Sequence, residues 1–450
     1  MNILVLNGSP AGENSITLQT VNYIKKNYPC NEYEVLHVGQ QIRRYEKDFA
    51  EAKKALECAD LIMFAYPVYT FLVPAQLHRF IELIKENDVA LQGKYASQIT
   101  TSKHFYDTTA HRFIRDNCMD LGLKVIEGLS ADMEDLLKMQ GKKDAILYFR
   151  HLLYAVQHDL AEKALPVSET KKDLEMASAP KHHPTKKNRK HIVIVADLSE
   201  EDQRLKAMID RFQQRSVYRS EIVNIHQFPF QGGCLGCFHC AADGKCIYKD
   251  RFDDFLREKI QTADATVYAF SIKDHSMGYR FKLFDDRQFC NGHRTVTLGK
   301  PVGYLVDGEI SKEENLRTVI EARAQVGGNP LAGIACDEYD VDRSIDQMAA
   351  ELHYSLNNNY TQPANFYGVG GMKIFRDLIW QMQGLMREDH RFYKEHGFYD
   401  FPQKKMGTIL AMYLVGGLMH NEKLKKKIGD NMTKEMLKPY RKIVEHMELS

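Results

Sequence analysis

The sequence has little of three features that would each indicate a particular class of protein. Its 61 Lys and Arg residues balance 60 Asp and Glu residues, and the formal net charge of +1 argues against a nucleic-acid binder that works through bulk charge. The longest uncharged apolar run, residues 406–419, is shorter than the roughly 18–20 residues that span a bilayer. Nine cysteines in 450 residues are too few for a disulfide scaffold. We therefore expect a globular protein without nucleic acid as its partner, and a membrane partner is disfavoured.

The N-terminus provides no sign of export. Met1, Asn2 and Ile3 are followed by neither a basic segment nor a signal-peptide cleavage site. We therefore expect a cytoplasmic, reducing compartment. At one domain per about 150 residues, the length predicts two to three domains.

Apolar runs alternate with helical patterns twice along the chain, which is typical of doubly wound parallel sheets. In the first pass, strands are predicted at 3–6, 33–38, 61–65, 95–100 and 123–126, and helices at 15–26, 49–58, 74–85, 109–121 and 144–163. In the second pass, strands are predicted at 191–195, 221–225, 265–270, 301–306 and 331–335. The restart predicts an internal duplication of a whole domain.

Four regions follow from this pattern. We predict an α/β domain over residues 1–165, an exposed basic linker over 166–190, a second α/β domain over 191–358 and a helical extension over 359–450. Within the extension, three glycines predict a break before a helix over 372–396; they are Gly368, Gly370 and Gly371. The apolar run 406–419 is interpreted as a buried helix. The lysines that follow it leave a membrane-associated relay as an alternative.

The loop after the first strand has the composition of an anion site. Residues 7–17 join a strand to a helix, and backbone N–H groups at a helix start favour a phosphate. Ser9, Ser15 and Thr17 would add hydroxyl donors. The alternative is a β-turn in which Ser or Asn only caps the helix.

Two further loops are predicted at the same edge of the sheet. Residues 66–75 follow the third strand and residues 100–106 follow the fourth, and both combine aromatic with polar side chains. A planar ring with hydrogen-bonding edges would suit this pair. Ordinary packing of Tyr66 and Tyr69 is the alternative.

Residues 1–160 resemble the NAD(P)H-dependent FMN reductase group of the flavodoxin-like proteins. The resemblance rests on Gly8-Ser9-Pro10, Asn14-Ser15-x-Thr17, Ala59-Asp60, Tyr66-Pro67-Val68-Tyr69 and Pro74-Ala75-Gln76-Leu77. It implies FMN, with the phosphate on Ser9, Asn14, Ser15 and Thr17. It also implies an isoalloxazine ring held by Pro67, Val68, Tyr69, Thr101, Ser102 and His104. Ala11 departs from the pattern, because many relatives carry a basic residue there.

The second domain contains a dense cysteine run. Cys234, Cys237, Cys240 and Cys246 have the spacing C-x2-C-x2-C-x5-C, which favours one compact iron–sulfur cluster. Zinc and metal-free redox thiols remain alternatives, although structural zinc usually takes two hooks separated by a longer stretch. Residues 191–340 resemble the iron–sulfur flavoprotein branch of the same superfamily. That resemblance implies a 4Fe–4S cluster on these four cysteines and a dimeric or larger assembly.

The first domain has the FMN-type loops but no cysteine run, and the second domain has the cysteine run but no FMN-type loop. The first loop of the second domain, residues 196–202, carries four carboxylates and no glycine, so it predicts a degenerate FMN site. We therefore expect α/β architecture with two tandem flavodoxin-like sheets in an intramolecular pseudo-dimer, plus the C-terminal helical extension. A further homo-oligomer is also compatible with the resemblance.

The combination predicts an FMN-dependent oxidoreductase. Its donor would be NAD(P)H or ferredoxin and its acceptor a small organic molecule; an electron-transfer flavoprotein without its own substrate is the alternative. His104 and Tyr106 are candidates to protonate a reduced substrate, or are ordinary surface residues. The aromatic residues 366–401 are interpreted as a clasp between the domains, with a cover over the flavin as the alternative.

Overall fold

The computed structural model describes residues 1–162, 190–338, 340–361, 364–418 and 420. The predicted linker, apart from Lys190, and the basic segment that ends at Ser450 lie outside the described residues. By its internal contacts the chain forms two units, Met1–Phe392 and Tyr393–Ser450.

The first half of the larger unit is a parallel sheet between two layers of helices. Its strands are paired in the order β2-β1-β3-β4-β5, with β6 also paired to β4. The strands are β1 (Asn2–Asn7), β2 (Glu32–Leu36), β3 (Leu61–Pro67), β4 (Tyr95–Ser102), β5 (Lys124–Val125) and β6 (Leu129–Asp132). The helices are α1 (Ile16–Asn27), α2 (Val38–Lys47), α3 (Ala50–Cys58), α4 (Ala75–Glu86), α5 (Asp107–Asp120) and α6 (Met139–Gln157). Strands β1 and β3 are buried almost end to end because helices cover both faces.

The second half repeats this topology. Its sheet has the order β8-β7-β9-β10-β11. Strand by strand this matches the order β2-β1-β3-β4-β5 of the first sheet. The strands are β7 (His191–Ala196), β8 (Arg219–Asn224), β9 (Ala265–Ser271), β10 (Val302–Asp307) and β11 (Leu331–Cys336). The helices are α7 (Gln203–Arg215), α8 (Cys240–Asp243), α9 (Phe252–Phe255), α10 (Gly278–Arg287), α11 (Glu314–Gly327) and α12 (Val341–Asn358). The predicted boundary at residue 358 coincides with the end of α12.

A tight turn after the third strand shows how closely the halves correspond. In the first half Tyr69 and Leu72 exchange backbone hydrogen bonds of 2.8 and 3.0 Å. In the second half Lys273 and Ser276 exchange two bonds of 2.9 Å. The two central residues of each turn have positive φ, at Thr70, Phe71, Asp274 and His275. Each turn leads into α4 or α10, and these two equivalent helices pack against each other, as do α5 and α11.

The C-terminal extension begins with α13 (Phe366–Gln381) and α14 (Arg387–Glu395). The predicted glycine break is wrong, because all three glycines lie inside α13. A Cβ on Gly371 would lie 2.6 Å from Val326 Cγ2 and 3.1 Å from Phe105 Cε2. Glycine here permits close packing against both halves. The break comes instead at residues 382–386, between α13 and α14.

The last described helix is α15 (Met406–Leu418), which belongs to the smaller unit. None of its residues is buried, so the interpretation of this run as a buried helix is wrong. Apolar composition favours burial of a helix, but it does not identify a surface of the same chain that would bury it. Within the described part of the chain, no helix combines the length and apolarity needed to cross a bilayer.

Candidate functional site

The loop between β1 and α1 is fixed by its own side chains. The Asn7 side chain fixes it by donating to Gly12 O (2.8 Å) and accepting from the Ser9 backbone N–H (3.2 Å). Ser15 Oγ caps α1 by accepting from the Leu18 N–H at 3.3 Å. The first N–H groups of a helix have no intrahelical acceptor and lie at the positive end of its dipole. The loop therefore offers several donors to a phosphate.

The other predicted phosphate residues lie at the same edge of the sheet. Thr17 Oγ1 is 2.6 Å from Thr101 Oγ1, so the start of α1 is tied to the end of β4. Both threonines are buried, as is Ser102, whereas Asn14 is exposed. The structure thus brings the loops after β1 and β4 together, as the sequence predicts for carboxyl ends of parallel strands.

The loop after β3 lies between them. Pro67 ends β3, and Pro67, Val68 and Tyr69 are each half-buried. The turn after Tyr69 directs Phe71 into an aromatic cluster with Phe105, whose ring centroid is 5.1 Å away. Phe71 and Phe105 were missed by sequence reasoning, although both lie within the two loops that it singled out.

The two predicted proton donors have different surroundings. The side chain of His104 is half exposed, and its Nδ1 is 2.8 Å from Asp107 Oδ2. Burial raises the pKa of Asp107, but hydrogen bonds with Ser130 and His104 outweigh it and hold that pKa below its usual range. The carboxylate can therefore orient the imidazole. Asp107 was not predicted from the sequence.

Tyr106 is covered by the extension. Its hydroxyl donates to Tyr367 O at 2.7 Å, and burial raises its pKa well above the ordinary value. Phe105 stacks on Phe375 of α13 at 4.3 Å, and Phe375 also contacts His293 of the second half. Helix α13 therefore contacts both halves, which is the geometry of a clasp.

The cysteine run is clamped at both ends by one buried arginine. Arg287 of α10 donates to Gly232 O (2.9 Å) and, through two nitrogens, to both carboxylate oxygens of Asp250 (2.8 Å each). Gly232 precedes the run and Asp250 follows it, and the guanidinium also lies over Tyr248, 4.5 Å from the ring centroid. Such a bidentate pair fixes geometry as well as charge. The clamp was not predicted from the sequence.

The four cysteines of the run can be compared with the geometry of a mononuclear metal site. Among the described residues, no three of their Sγ atoms lie within 4.8 Å of one another. Four thiolates on one zinc ion, each about 2.3 Å from it, would be only about 3.8 Å apart. The described thiols are therefore not in the arrangement that one zinc ion requires. Burial raises the pKa of Cys234, and raises that of Cys240 to about 11, so a metal must displace these protons.

The cysteine run lies directly against the first half. Gln76 Nε2 of α4 donates to Cys234 O at 3.2 Å. A Cβ on Gly236, whose φ is +62°, would lie 2.0 Å from the hydroxyl oxygen of Tyr69. Tyr69 also contacts Phe289, whose carbonyl accepts from Cys240 Sγ at 3.2 Å. A loop predicted to hold the flavin ring and the segment predicted to hold the cluster are thus in contact.

The corresponding edge of the second half is closed by its own polar groups. Asp202 accepts from both the backbone N–H (2.8 Å) and the hydroxyl (2.5 Å) of Ser199, and Asp197 pairs with His226 at 2.9 Å. At the ends of β10 and β11, burial and the neighbouring Asp337 raise the pKa of Asp307. This acidic edge does not suit a phosphate.

Comparison with known proteins supports the fold. Residues 1–120 match the family model described as the flavodoxin-like fold. This first half is flavodoxin-like. A curated protein from Archaeoglobus fulgidus, called an iron-sulfur flavoprotein, is 25% identical over 176 residues, which cover 37% of this chain and 79% of that protein.

Three solved structures also align with part of the chain. An NADH:FMN oxidoreductase in its apo form has 18% identity and a TM-score of 0.30, and covers 34% of this chain and 89% of its own. An FMN-dependent NADH-azoreductase from Bacillus anthracis has 11% identity and a TM-score of 0.27, covering 35% and 99%. A WrbA-like flavodoxin from Agrobacterium tumefaciens has 16% identity and a TM-score of 0.27, covering 35% and 98%.

Proposed function

We propose that the protein is an FMN-dependent oxidoreductase in which the first half binds FMN and the second half binds a 4Fe–4S cluster. The observation that carries this proposal is the contact between Tyr69 and Gln76 of the first half and the cysteine run of the second. The Archaeoglobus fulgidus relative, by its name, combines the same two cofactor types. NAD(P)H or reduced ferredoxin would be the donor and a small organic molecule the acceptor.

The residues of the first half fit FMN. Buried Ser9 and Ser15 and the start of α1 would hold the phosphate, together with Asn14 and Thr17. Pro67, Val68 and Tyr69 would lie on one side of the ring, and Thr101, Ser102 and His104 on the other. When bound, FMN supplies both two-electron exchange with a hydride donor and one-electron exchange with a cluster.

The protein's own side chains would manage protons and exclude water. The His104 imidazole, held by Asp107, would carry a proton for a reduced acceptor at the exposed edge of the site. The aromatic cluster around Phe71 and Phe105 would keep water from the buried side. Tyr106 would support α13 through its hydrogen bond to Tyr367 O.

One observation favours the second candidate, an electron-transfer flavoprotein without its own small substrate. Helix α13 covers Phe105 and Tyr106, so one of the two predicted proton donors is already engaged by a backbone carbonyl. A partner protein would then receive the electrons.

The test is cofactor analysis and reduction kinetics on protein prepared without oxygen. One FMN and four irons per chain are expected, and NADH, NADPH and reduced ferredoxin should be compared as reductants in a stopped-flow spectrometer. Turnover of quinones, nitro- or azo-compounds supports the reductase. Reduction by ferredoxin alone, without turnover, supports the electron-transfer protein. Two FMN per chain, or no iron, would contradict both.

A further inference from the structure

The interface between the two halves contains two equivalent polar sites, referred to below as the first and the second place. Each lies between helix α4 or α10 and the turn of the opposite half. In each, an acidic side chain on the interface helix accepts the N–H at the start of the opposite helix: Asp286 from Ala75 and Glu82 from Tyr279, both at 2.8 Å. Four residues before each acid stands a fully buried side chain, Lys282 in α10 and His78 in α4. These side chains face the turn of the other half.

In the first of these places, a protein cation fills the space. The ammonium of Lys282 donates to Tyr69 O (3.0 Å), to Thr70 Oγ1 (3.2 Å) and to Asp286. Three oxygen atoms from both halves therefore surround a positive charge. This place is complete without any further group.

In the second place, the corresponding charge is missing. His78 stands where Lys282 stands, Glu82 corresponds to Asp286, and Asp274 of the opposite turn corresponds to Thr70. His78 Nε2 is 3.9 Å from Glu82 Oε1 and 3.9 Å from Asp274 Oδ2, too far for a hydrogen bond. Within the part of the chain that the structure describes, neither ring nitrogen has a hydrogen-bond partner, and the side chain is fully buried. A buried polar group left in this way is costly.

The distances between the three side chains match those around one bound ion. The three ligand atoms all lie within 4.8 Å of one another. A point equidistant from them lies about 2.1–2.5 Å from each, the range of metal–nitrogen and metal–oxygen bonds. Glu82 and Asp274 each keep some exposed surface, which gives an ion a path to the site.

The surrounding charges also favour a cation. Arg79 contacts Glu82, Glu46 and Glu86, and Lys85 contacts Asp274 and Asp120. His275 contacts Asp120 and Glu313, so three basic side chains share six carboxylates. Arg79 binds Glu82 Oε2 and Lys85 binds Asp274 Oδ1. The carboxylate oxygens that face His78 are therefore Glu82 Oε1 and Asp274 Oδ2. Outer partners of this kind orient metal ligands. Lys282, a further cation nearby, is paired with Asp286.

We propose that His78, Glu82 and Asp274 bind a divalent transition-metal ion that joins the two halves of the chain. One imidazole and two carboxylates suit ions such as Mn²⁺ or Zn²⁺. The ion takes the role that the Lys282 ammonium has in the equivalent place. The site is separate from the cysteine run and does not depend on the proposed redox function.

The test uses Mn²⁺, because carboxylates suit this ion whereas thiolates select softer metals. The full chain is treated with a chelator, the chelator is removed, and Mn²⁺ is titrated while the EPR signal of the free ion is followed. Wild-type protein should bind one equivalent and melt at a higher temperature with Mn²⁺ than without it. His78→Ala should weaken this binding at least ~100-fold, since loss of an outer partner alone costs about 10–100-fold.

His78→Lys separates a metal site from a merely structural histidine. The new ammonium should act as Lys282 does, so that Mn²⁺ no longer binds or raises the melting temperature, while the variant stays as stable as the metal-loaded wild type. His151→Ala removes an exposed histidine of α6 and should bind Mn²⁺ like wild type. The proposal is overturned if wild-type protein takes up no Mn²⁺, as expected of a bridging water, or if His78→Lys binds it equally well.

Discussion

The two halves have the same strand order and the same turn after the third strand, yet the carboxyl edges of their sheets carry different chemistry. The first edge has small, hydroxyl-bearing loops that leave helix N–H groups open to a ligand. The second edge is filled by carboxylates that bond to its own Ser199 and His226. The shared backbone therefore fixes where a ligand can bind, and the side chains fix which ligand that is.

The halves also differ in the segment after the second strand. In the first half, β2 leads directly into α2, and a Cβ on Gly39 of this helix would lie 2.3 Å from Gly8 O of the phosphate loop. In the second half, the segment after β8 contains the cysteine run instead. In the first half, the segment after the second strand packs against the loop after β1. In the second half, the corresponding segment contacts the first half across the interface.

The largest expected effect concerns the cysteine run. Cys237→Ser should remove most of the iron from the isolated protein while FMN stays at one per chain, because we propose that different halves hold the two cofactors. Iron and flavin are measured on protein prepared without oxygen. Cys58→Ser, which changes an exposed cysteine of the first half, is the control and should keep both. Iron retained in Cys237→Ser would show that this thiol is not a ligand.

Next in size is the loss of the arginine clamp, for which the first half has no equivalent. Counted from the shared turn, Arg287 corresponds to Leu83. Arg287→Met should lower the free energy of unfolding by about 3–5 kcal/mol, because the buried Asp250 loses its partner.

Urea unfolding measures this loss. Arg251→Met, which breaks the exposed pair with Asp254, should change the free energy of unfolding by about 1 kcal/mol or less. Equal effects of the two variants would disprove the clamp.

A carboxylate in the loop between β1 and α1 should make this loop as unsuited to a phosphate as the acidic loop after β7. Ser15→Asp keeps a good helix cap but places a negative charge against the FMN phosphate. We expect FMN to bind ~100-fold more weakly, about 2.7 kcal/mol. Fluorescence titration of the apoprotein with FMN measures it. Ser199→Ala in the equivalent loop should leave FMN affinity unchanged, and unaltered affinity in Ser15→Asp would place the phosphate elsewhere.

The smallest effects concern the clasp that joins the halves, and they have opposite signs at neighbouring glycines. Gly371→Ala should destabilise by about 1–3 kcal/mol because its Cβ would overlap Val326. Gly370→Ala should stabilise by roughly 0.5–1 kcal/mol, since its nearest atom is 3.9 Å away and alanine favours a helix. Thermal unfolding of the two variants compares them. Two changes of the same sign would mean that α13 does not pack as described.

Much of the fold follows from local pattern. Each run predicted as a strand overlaps an observed one, because strands buried on both faces have nearly continuous apolar sequence. Helix α2 was not predicted, and its polar sequence, with Arg43, Arg44 and Lys47, obscures the apolar face that it buries. Strand β6 was missed because Leu129–Asp132 is short and mixed in character.

The candidate site was predictable where its residues directly follow strands of one parallel sheet. The loops after β1, β3 and β4 meet because parallel strands deliver their carboxyl ends to one edge. The contact of Tyr69 with Gly236 joins residues far apart in the chain, and no local pattern specifies it. The same holds for Arg287 with Asp250 and for His78 with Asp274.

The sequence by itself determined two α/β halves, a phosphate-type loop in the first and a cysteine run in the second, because periodicity, small residues and cysteine spacing are local properties. Only the tertiary structure decided that equivalent helices pair, that the cysteine run lies against the loop after β3 and that the buried His78 faces two carboxylates. These depend on which surfaces meet, and that is set by the packing of the whole chain.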